Sequence, residues 1–374
     1  MRILFSTVPL YGHTVPVLPL ARAFRDQGHD VVLVTAPSLV GLLESEKLEY
    51  ILAGAEIVPD TLIEVANRLG YDPAVEGFTV EHEAEMFVGV RADLGYEEIL
   101  AAALAWRPDL IVGDVFDFVG PMVAAALGLP FAAVAYGAVI RPDDQLPIRL
   151  RVEAEHRLRG LIPAAARWYL DTCPPSLQTE WRVPEGRIPL RPEAYSGGAA
   201  VSAGAARSER PRVLVTCGTH WVFPEVLTPV IRELLKQDVD IRVTLGPRTA
   251  EDFDIDSDRV EFLGFTPLDQ LLAEADVVLS IGGAGTILGS LAHGIPMVLI
   301  PQNADQPFHA GRAAKAGTAI LFPVGKAEPV AVAGAVATVL GEPRFRDAAV
   351  RVAVEIAAMP TADDVAAKLA AELG

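Results

Sequence analysis

His13 stands in Tyr11-Gly12-His13-Thr14-Val15-Pro16, directly after an apolar run that reads as a buried first strand. Neutral imidazole, with an ordinary pKa of about 6.5, can accept a proton from an attacking hydroxyl near neutral pH. Gly12 permits a tight turn there. The same pattern also suits a histidine that caps the following helix or ties down loop backbone, and spacing alone leaves both roles open. Asp114 closes the run DLIVGD and is the natural partner. Such a carboxylate fixes the imidazole tautomer and stabilises the imidazolium formed as a proton moves. Helix capping is the alternative for Asp114, and Asp117 is the reserve partner.

A second group of residues suits a phosphorylated ligand. In Ser280-Ile281-Gly282-Gly283-Ala284-Gly285-Thr286 the paired glycines allow close backbone approach, and the helix that follows points free N–H groups forward. A plain strand-to-helix turn would use the same residues. Asp305 and Gln306, in PQNADQP, precede another helix. Carboxylate oxygens accept and an amide both donates and accepts, which matches sugar hydroxyls; an Asp N-cap beside a solvated Gln is the alternative. Asn303 is placed to assist. No metal constellation is evident: the seven histidines are scattered, HExxH is absent, and the acidic run EDFDIDSD reads as a solvated turn without phosphate-loop context.

The elements that must position these residues form two halves with the same grammar. The first runs through the strand RILFSTV, a helix around Pro16 to Gln27, the strand DVVLVTA, a helical SLVGLLESE and the strand EYILAG. After a looser stretch it continues through DLIVGD, the helix FVGPMVAAALG and the strand PFAAVAY. This βαβ alternation predicts a parallel sheet covered on both faces. In a 3-2-1-4 strand order the first and fourth strands are neighbours, which brings the loops of His13 and Asp114 together. A helix is expected around Leu150 to Leu170, followed by CPPSLQ.

Residues 196–210, SGGAAVSAGAARSER, are small and polar and read as a linker. Beyond it PRVLVTCGT opens a second set of strands: DIRVTLG, RVEFLG, DVVLSI and PMVLI, with helices at Pro224 to Leu235, at PLDQLLAEA, at Gly285 to His293, after Asp305, and to the C-terminus. The expected fold is α/β, with two facing Rossmann-like, doubly wound parallel-sheet domains. The domains are residues 1–195 and 211–374, with the last helix returning to the first. Ligands of such sheets bind beyond the carboxyl ends of the strands, here expected in the interdomain cleft. The loose segments 60–104 and 141–195 then shape a pocket, with Phe78, Met86, Phe87 and Trp168 as apolar candidates that could equally fill a satellite core.

Composition removes several alternatives. With 374 residues the chain has room for two cores. Its formal charge of -18 opposes nucleic-acid binding over most of the surface. Cys173 and Cys217 lie far apart without a CxxC spacing, which suits a reducing, cytoplasmic setting. The opening residues read as a strand, not as a secretion signal. Val119 to Ile140 is uncharged, but Gly128-Leu129-Pro130 divides it into a helix and a strand, so no stable membrane insertion is expected. A dinucleotide dehydrogenase is disfavoured because the first turn lacks GxGxxG.

The combination of GHxxP at Gly12 to Pro16, CPPSLQ, GGAGT and PQNADQP resembles the GT-B-fold glycosyltransferases of family 1, most nearly the actinobacterial enzymes that decorate polyketides and macrolides. The likeness spans essentially the whole chain. It implies a dTDP- or UDP-sugar donor held mainly by the second domain and a hydrophobic aglycone held mainly by the first. It further implies inverting transfer without a metal or cofactor, with His13 as base. It assigns Asp305 and Gln306 to the donor sugar, and it aligns Phe265-Thr266-Pro267-Leu268 with the loop that borders the nucleobase. The family usually carries histidine where this chain has Ile281, which removes one diphosphate donor. His220, in Cys217-Gly218-Thr219-His220-Trp221, is the candidate replacement, with Thr219 the more conventional hydroxyl donor. Ile281 also leaves room for a nucleotide- or aglycone-binding regulatory homologue, and carbon-glycoside formation is a further alternative. A homodimer or an auxiliary protein is compatible with the likeness.

Overall fold

The structure, a computed structural model, describes all residues except 58–60, 71–78, 141, 180, 182–183, 198–208 and 219–222. Phe78, Thr219, His220 and most of the expected linker therefore lie outside the described residues. The chain divides into two compact units. One comprises residues 1–172, 179–191 and 360–374, the other residues 173–178 and 192–359.

The first unit is built on a seven-stranded parallel sheet of β1 (Arg2–Ser6), β2 (Asp30–Thr35), β3 (Glu49–Leu52), β4 (Leu110–Asp114), β5 (Phe131–Val134), β6 (Trp168–Asp171) and β7 (Arg187–Pro189), in the order β3-β2-β1-β4-β5-β6-β7. The central strands are apolar throughout because helices cover both faces; Ile3, Leu4 and Phe5 are fully buried. Ser6 of β1 pairs with Gly113 of β4, so both strands end side by side. A Cβ at Gly113 would lie 2.8 Å from the Ser6 carbonyl oxygen, which is why no larger residue fits this close approach. The closing helix, Ala362–Leu373, buries Val365, Ala366 and Leu369. It is tied to this unit by Gln27 Nε2, which donates to Asp363 O at 2.9 Å, and by Trp168 Nε1, which donates to Glu372 Oε2 at 2.6 Å.

Three features depart from the sequence expectations. The helix expected around Leu150 to Leu170 runs instead from Leu146 to Leu158. It stops because Gly160 takes φ +66° and Pro163 follows, and by Trp168 the chain is already in β6. The strands β6 and β7 were not foreseen, since four and three residues are too few to show a period. Finally, Glu85–Val90 forms a π-helical turn leading directly into the helix Arg91–Trp106. Such turns recur at functional sites, and this one carries Met86 and Phe87.

The second unit carries a six-stranded parallel sheet of β8 (Arg212–Thr216), β9 (Asp240–Thr244), β10 (Val260–Leu263), β11 (Val277–Ser280), β12 (Met297–Leu299) and β13 (Ala319–Leu321), in the order β10-β9-β8-β11-β12-β13. One apolar core joins Val213, Val215, Val277, Leu279 and Val298 of the sheet to Leu227, Ile231, Val332 and Val336 of the helices beside it. The acidic run is not wholly solvated: Phe253, inside it, is fully buried in this core. The segment Cys173–Gln178 belongs to this unit, where Arg312 Nε donates to Leu177 O at 2.8 Å. Among the described residues, no helix is long and apolar enough to cross a membrane.

Candidate active site

In the first unit the loop after β1 turns through the short helix Tyr11–Thr14, which places His13 against the end of β4. His13 Nδ1 lies 2.9 Å from Asp114 Oδ1. That oxygen also accepts the Phe116 N–H at 2.8 Å, and Asp114 Oδ2 accepts the Val8 N–H at 3.0 Å. A carboxylate is acceptor-only, so the proton shared with the ring sits on Nδ1 and the lone pair on Nε2. The Asp114 side chain is fully buried, while that of His13 keeps 15% of its exposure. The imidazole is thus oriented from behind by the buried carboxylate and keeps part of its own exposure. Asp117, the reserve partner, is engaged elsewhere: it pairs with Arg91 at 2.9 Å and accepts the Gly120 N–H at 3.1 Å. Burial pushes the Asp117 carboxyl above the usual carboxylate range, and Arg91 opposes that shift.

Three aromatic rings surround His13, with centroids at 5.3 Å for Tyr136, 5.6 Å for Phe87 and 6.1 Å for Phe116. Phe87, Phe116 and Met86 belong to an apolar cluster with Val8, Ile57 and Ile148. Sequence reasoning singled out Phe87 and Met86 but missed Phe116 and Tyr136. The signal for both was their place, two residues beyond the carboxyl ends of β4 and β5. Trp168 is not in this group; it is buried within β6 and bonded to Glu372.

In the second unit β11 ends at Ser280, whose hydroxyl accepts the Gly282 N–H at 3.1 Å. Gly282 has φ +84°, and a Cβ on it would meet Ala310 Cβ at 3.2 Å and Gln306 O at 3.4 Å. The turn is thereby held against the helix Gln306–Lys315. Gly283 is the N-cap of the helix Ala284–Ala292 and makes no side-chain cap. A Cβ at Gly283 or Gly285 would meet nothing within 4 Å. Gly285 is exposed and Thr286 half-buried at this helix start. The Ile281 side chain is only 6% exposed and joins the apolar core, which accounts for an apolar residue at this position.

A Gly282→Ala variant is expected to lose about 1–2 kcal/mol of stability, because an L residue must adopt a left-handed backbone there. Thermal unfolding checks the effect.

The remaining candidates divide. Gln306 is buried and turned into its own loop: its carbonyl oxygen accepts the Gln302 N–H at 2.9 Å and its amide donates to Asn303 Oδ1 at 3.2 Å. Asp305 is half-buried, with His309 Nε2 3.2 Å from its Oδ2. Phe265 is 62% exposed, with its ring centroid 6.0 Å from that of Tyr195. Pro267 is the N-cap of the helix Leu268–Leu272, and both Pro267 and Leu268 are half-buried. Beside β11, the end of β8 bonds Thr216 to Thr244 at 2.9 Å, and burial pushes the Cys217 thiol up to about 12. Among the described residues, no three His, Cys, Asp or Glu groups are placed to hold a metal ion.

Two Rossmann-like parallel-sheet units of this construction define the GT-B class of glycosyltransferases, and solved structures of that class superpose on essentially the whole chain. The spinosyn rhamnosyltransferase SpnG, solved with thymidine diphosphate, is 26% identical with a TM-score of 0.84, covering 99% of this chain and 100% of its own. SnogD from Streptomyces nogalater is 29% identical with a TM-score of 0.78, covering 100% and 99%. The chain belongs to the erythromycin biosynthesis protein CIII-like family, whose N-terminal domain matches residues 22–218 and whose C-terminal domain matches residues 228–372. Among its relatives, the elloramycin glycosyltransferase ElmGT of Streptomyces olivaceus is 30% identical over 391 residues, covering 100% of this chain and 98% of ElmGT. The L-demethylnoviosyl transferase of Streptomyces niveus is 28% identical, with the same coverage. The chain is a nucleotide-sugar-dependent glycosyltransferase of the kind found in antibiotic pathways.

Proposed function

We propose that this enzyme transfers a sugar, with inversion, from a dTDP- or UDP-sugar to a hydroxyl of a small, largely apolar natural product. The observation that carries the reading is the 2.9 Å contact between His13 and a buried Asp114, set among three aromatic rings. The acceptor lies against these rings, and its hydroxyl gives its proton to His13 Nε2. The hydroxyl oxygen forms its bond to the anomeric carbon as the bond from that carbon to the diphosphate breaks. The electron pair leaves with the nucleoside diphosphate, and one displacement gives one inversion. Asp114 holds the ring and stabilises the imidazolium.

On this reading residues 1–195 recognise the acceptor and residues 211–374 the donor. The N–H groups of the helix beginning at Ala284 take the charge that develops on the diphosphate, with Gly282 and Gly283 permitting its approach, so no metal is required. Asp305 meets the sugar hydroxyls, and the loop of Phe265, Pro267 and Leu268 borders the base. Gln306 acts through its hold on the loop at residues 302–303. The thymidine diphosphate in the solved structure of SpnG supports a thymidine donor.

The test is a mass-resolved screen of dTDP- and UDP-sugars against aromatic and macrocyclic aglycones, with and without chelator. The expected product carries one added sugar, is released by acid as an oxygen glycoside, and forms equally with chelator present. Nucleotide binding without transfer in every pairing would sink the proposal, and an acid-stable product would replace oxygen by carbon attack.

A further inference from the structure

Behind the His13–Asp114 pair lies a guanidinium that the reaction does not touch. Arg91 opens the helix Arg91–Trp106 immediately after the π-helical turn Glu85–Val90, and it is 5% exposed. Its Nη1 donates to Asp117 Oδ1 at 2.9 Å and its Nη2 to the Thr7 carbonyl oxygen at 3.0 Å. The Thr7 oxygen and the Val8 N–H are the two polar ends of one planar peptide group. That N–H donates to Asp114 Oδ2 at 3.0 Å, and the other oxygen of Asp114 is 2.9 Å from His13 Nδ1. The connection thus runs from the guanidinium through one peptide to the carboxylate and then to the imidazole.

On its other side Asp117 accepts N–H groups of Val119 at 3.3 Å and Gly120 at 3.1 Å, at the start of the helix Val119–Leu127. Arg91 therefore fastens the loop after β1 to the loop after β4, the two segments that carry His13 and Asp114. A planar fork with fixed donors reaches both acceptors at once, which a lysine ammonium does not. A cation on the peptide oxygen also polarises the peptide, so that its N–H binds the carboxylate more strongly in this dry surrounding.

We infer that Arg91 is a positioning residue for transfer: through the Thr7–Val8 peptide it holds Asp114, and with it the His13 ring, in the working orientation. This rests on His13 acting as the base. The sugar donor and its binding groups take no part in it, so the effect belongs to kcat and not to donor KM.

The test compares Arg91→Lys, the double variant Arg91→Met with Asp117→Asn, and His13→Ala. The double variant leaves no orphaned buried carboxylate and so guards against simple misfolding, which circular dichroism checks. For both Arg91 variants kcat is expected to fall by about 10²-fold, the scale of a misplaced reacting group, with donor KM unchanged. In proton NMR the His13 Nδ1–H resonance is expected to shift or broaden in both. Folded variants with wild-type kcat and an unmoved resonance overturn the inference, as does a change confined to KM. If His13→Ala transfers sugar normally, the base reading fails by itself; the resonance then still decides whether Arg91 orients the ring.

Discussion

Replacing His13 with alanine is expected to lower kcat by about 10²- to 10⁴-fold, the usual range for a positioned proton acceptor, with little change in nucleoside diphosphate affinity. The variant removes the only histidine among the described residues whose ring is bonded to Asp114. It leaves the turn at Gly282 and Gly283, the proposed donor site, untouched, since that turn is built within the second unit. Turnover under saturating donor and acceptor, together with nucleotide titration, checks both halves of the expectation. Unchanged kcat would show that the acceptor reaches the anomeric carbon without this base.

The second large effect is expected for Asp114→Asn. Asp114 accepts from three directions: the imidazole and the Phe116 N–H on one oxygen, and the Val8 N–H on the other. An asparagine has one oxygen and one NH2, so one side must now present a donor. If the NH2 faces Val8, two donors oppose each other in a dry site. If it faces His13, it donates to Nδ1 and shifts the ring proton to Nε2, where the base should have its lone pair. Either arrangement costs turnover, and a loss of about 10²- to 10⁴-fold in kcat is expected on the precedent of wrong-tautomer variants in other histidine–carboxylate pairs. The fold should survive, because the change is isosteric; circular dichroism and thermal unfolding distinguish lost chemistry from lost structure.

The sheet architecture was readable because its causes are local. RILFS, DVVLVT and VVLS are apolar runs of strand length, each followed by a glycine-bearing turn or a helix. Parallel pairing in a doubly wound order then made β1 and β4 neighbours, which is enough to bring residues 13 and 114 together. Features set by long-range packing stayed hidden. Nothing local marks Arg91 as buried, since its partners lie 26 and 84 residues away. The π-helical turn at Glu85–Val90 inserts a register shift that a helical period cannot show. The helix expected to reach Leu170 ends at Leu158, where Gly160 with its left-handed backbone and Pro163 set the limit.

Ile281 shows how one substitution changes meaning once its surroundings are known. In the sequence it is a missing phosphate donor. In the structure its side chain belongs to the core behind the turn, alongside Val215 and Ile300, while the backbone N–H groups beyond it remain at the helix start. If this turn holds the donor diphosphate as proposed, backbone groups and the conformational freedom of Gly282 do so, and not a side chain at 281.

The most direct measurement is the anomeric configuration of the product, read by NMR from a donor of known configuration. A single displacement assisted by His13 gives a product of opposite configuration to the nucleotide sugar, with no mixture. A product that keeps the donor configuration would require a covalent or front-face route and would contradict the account.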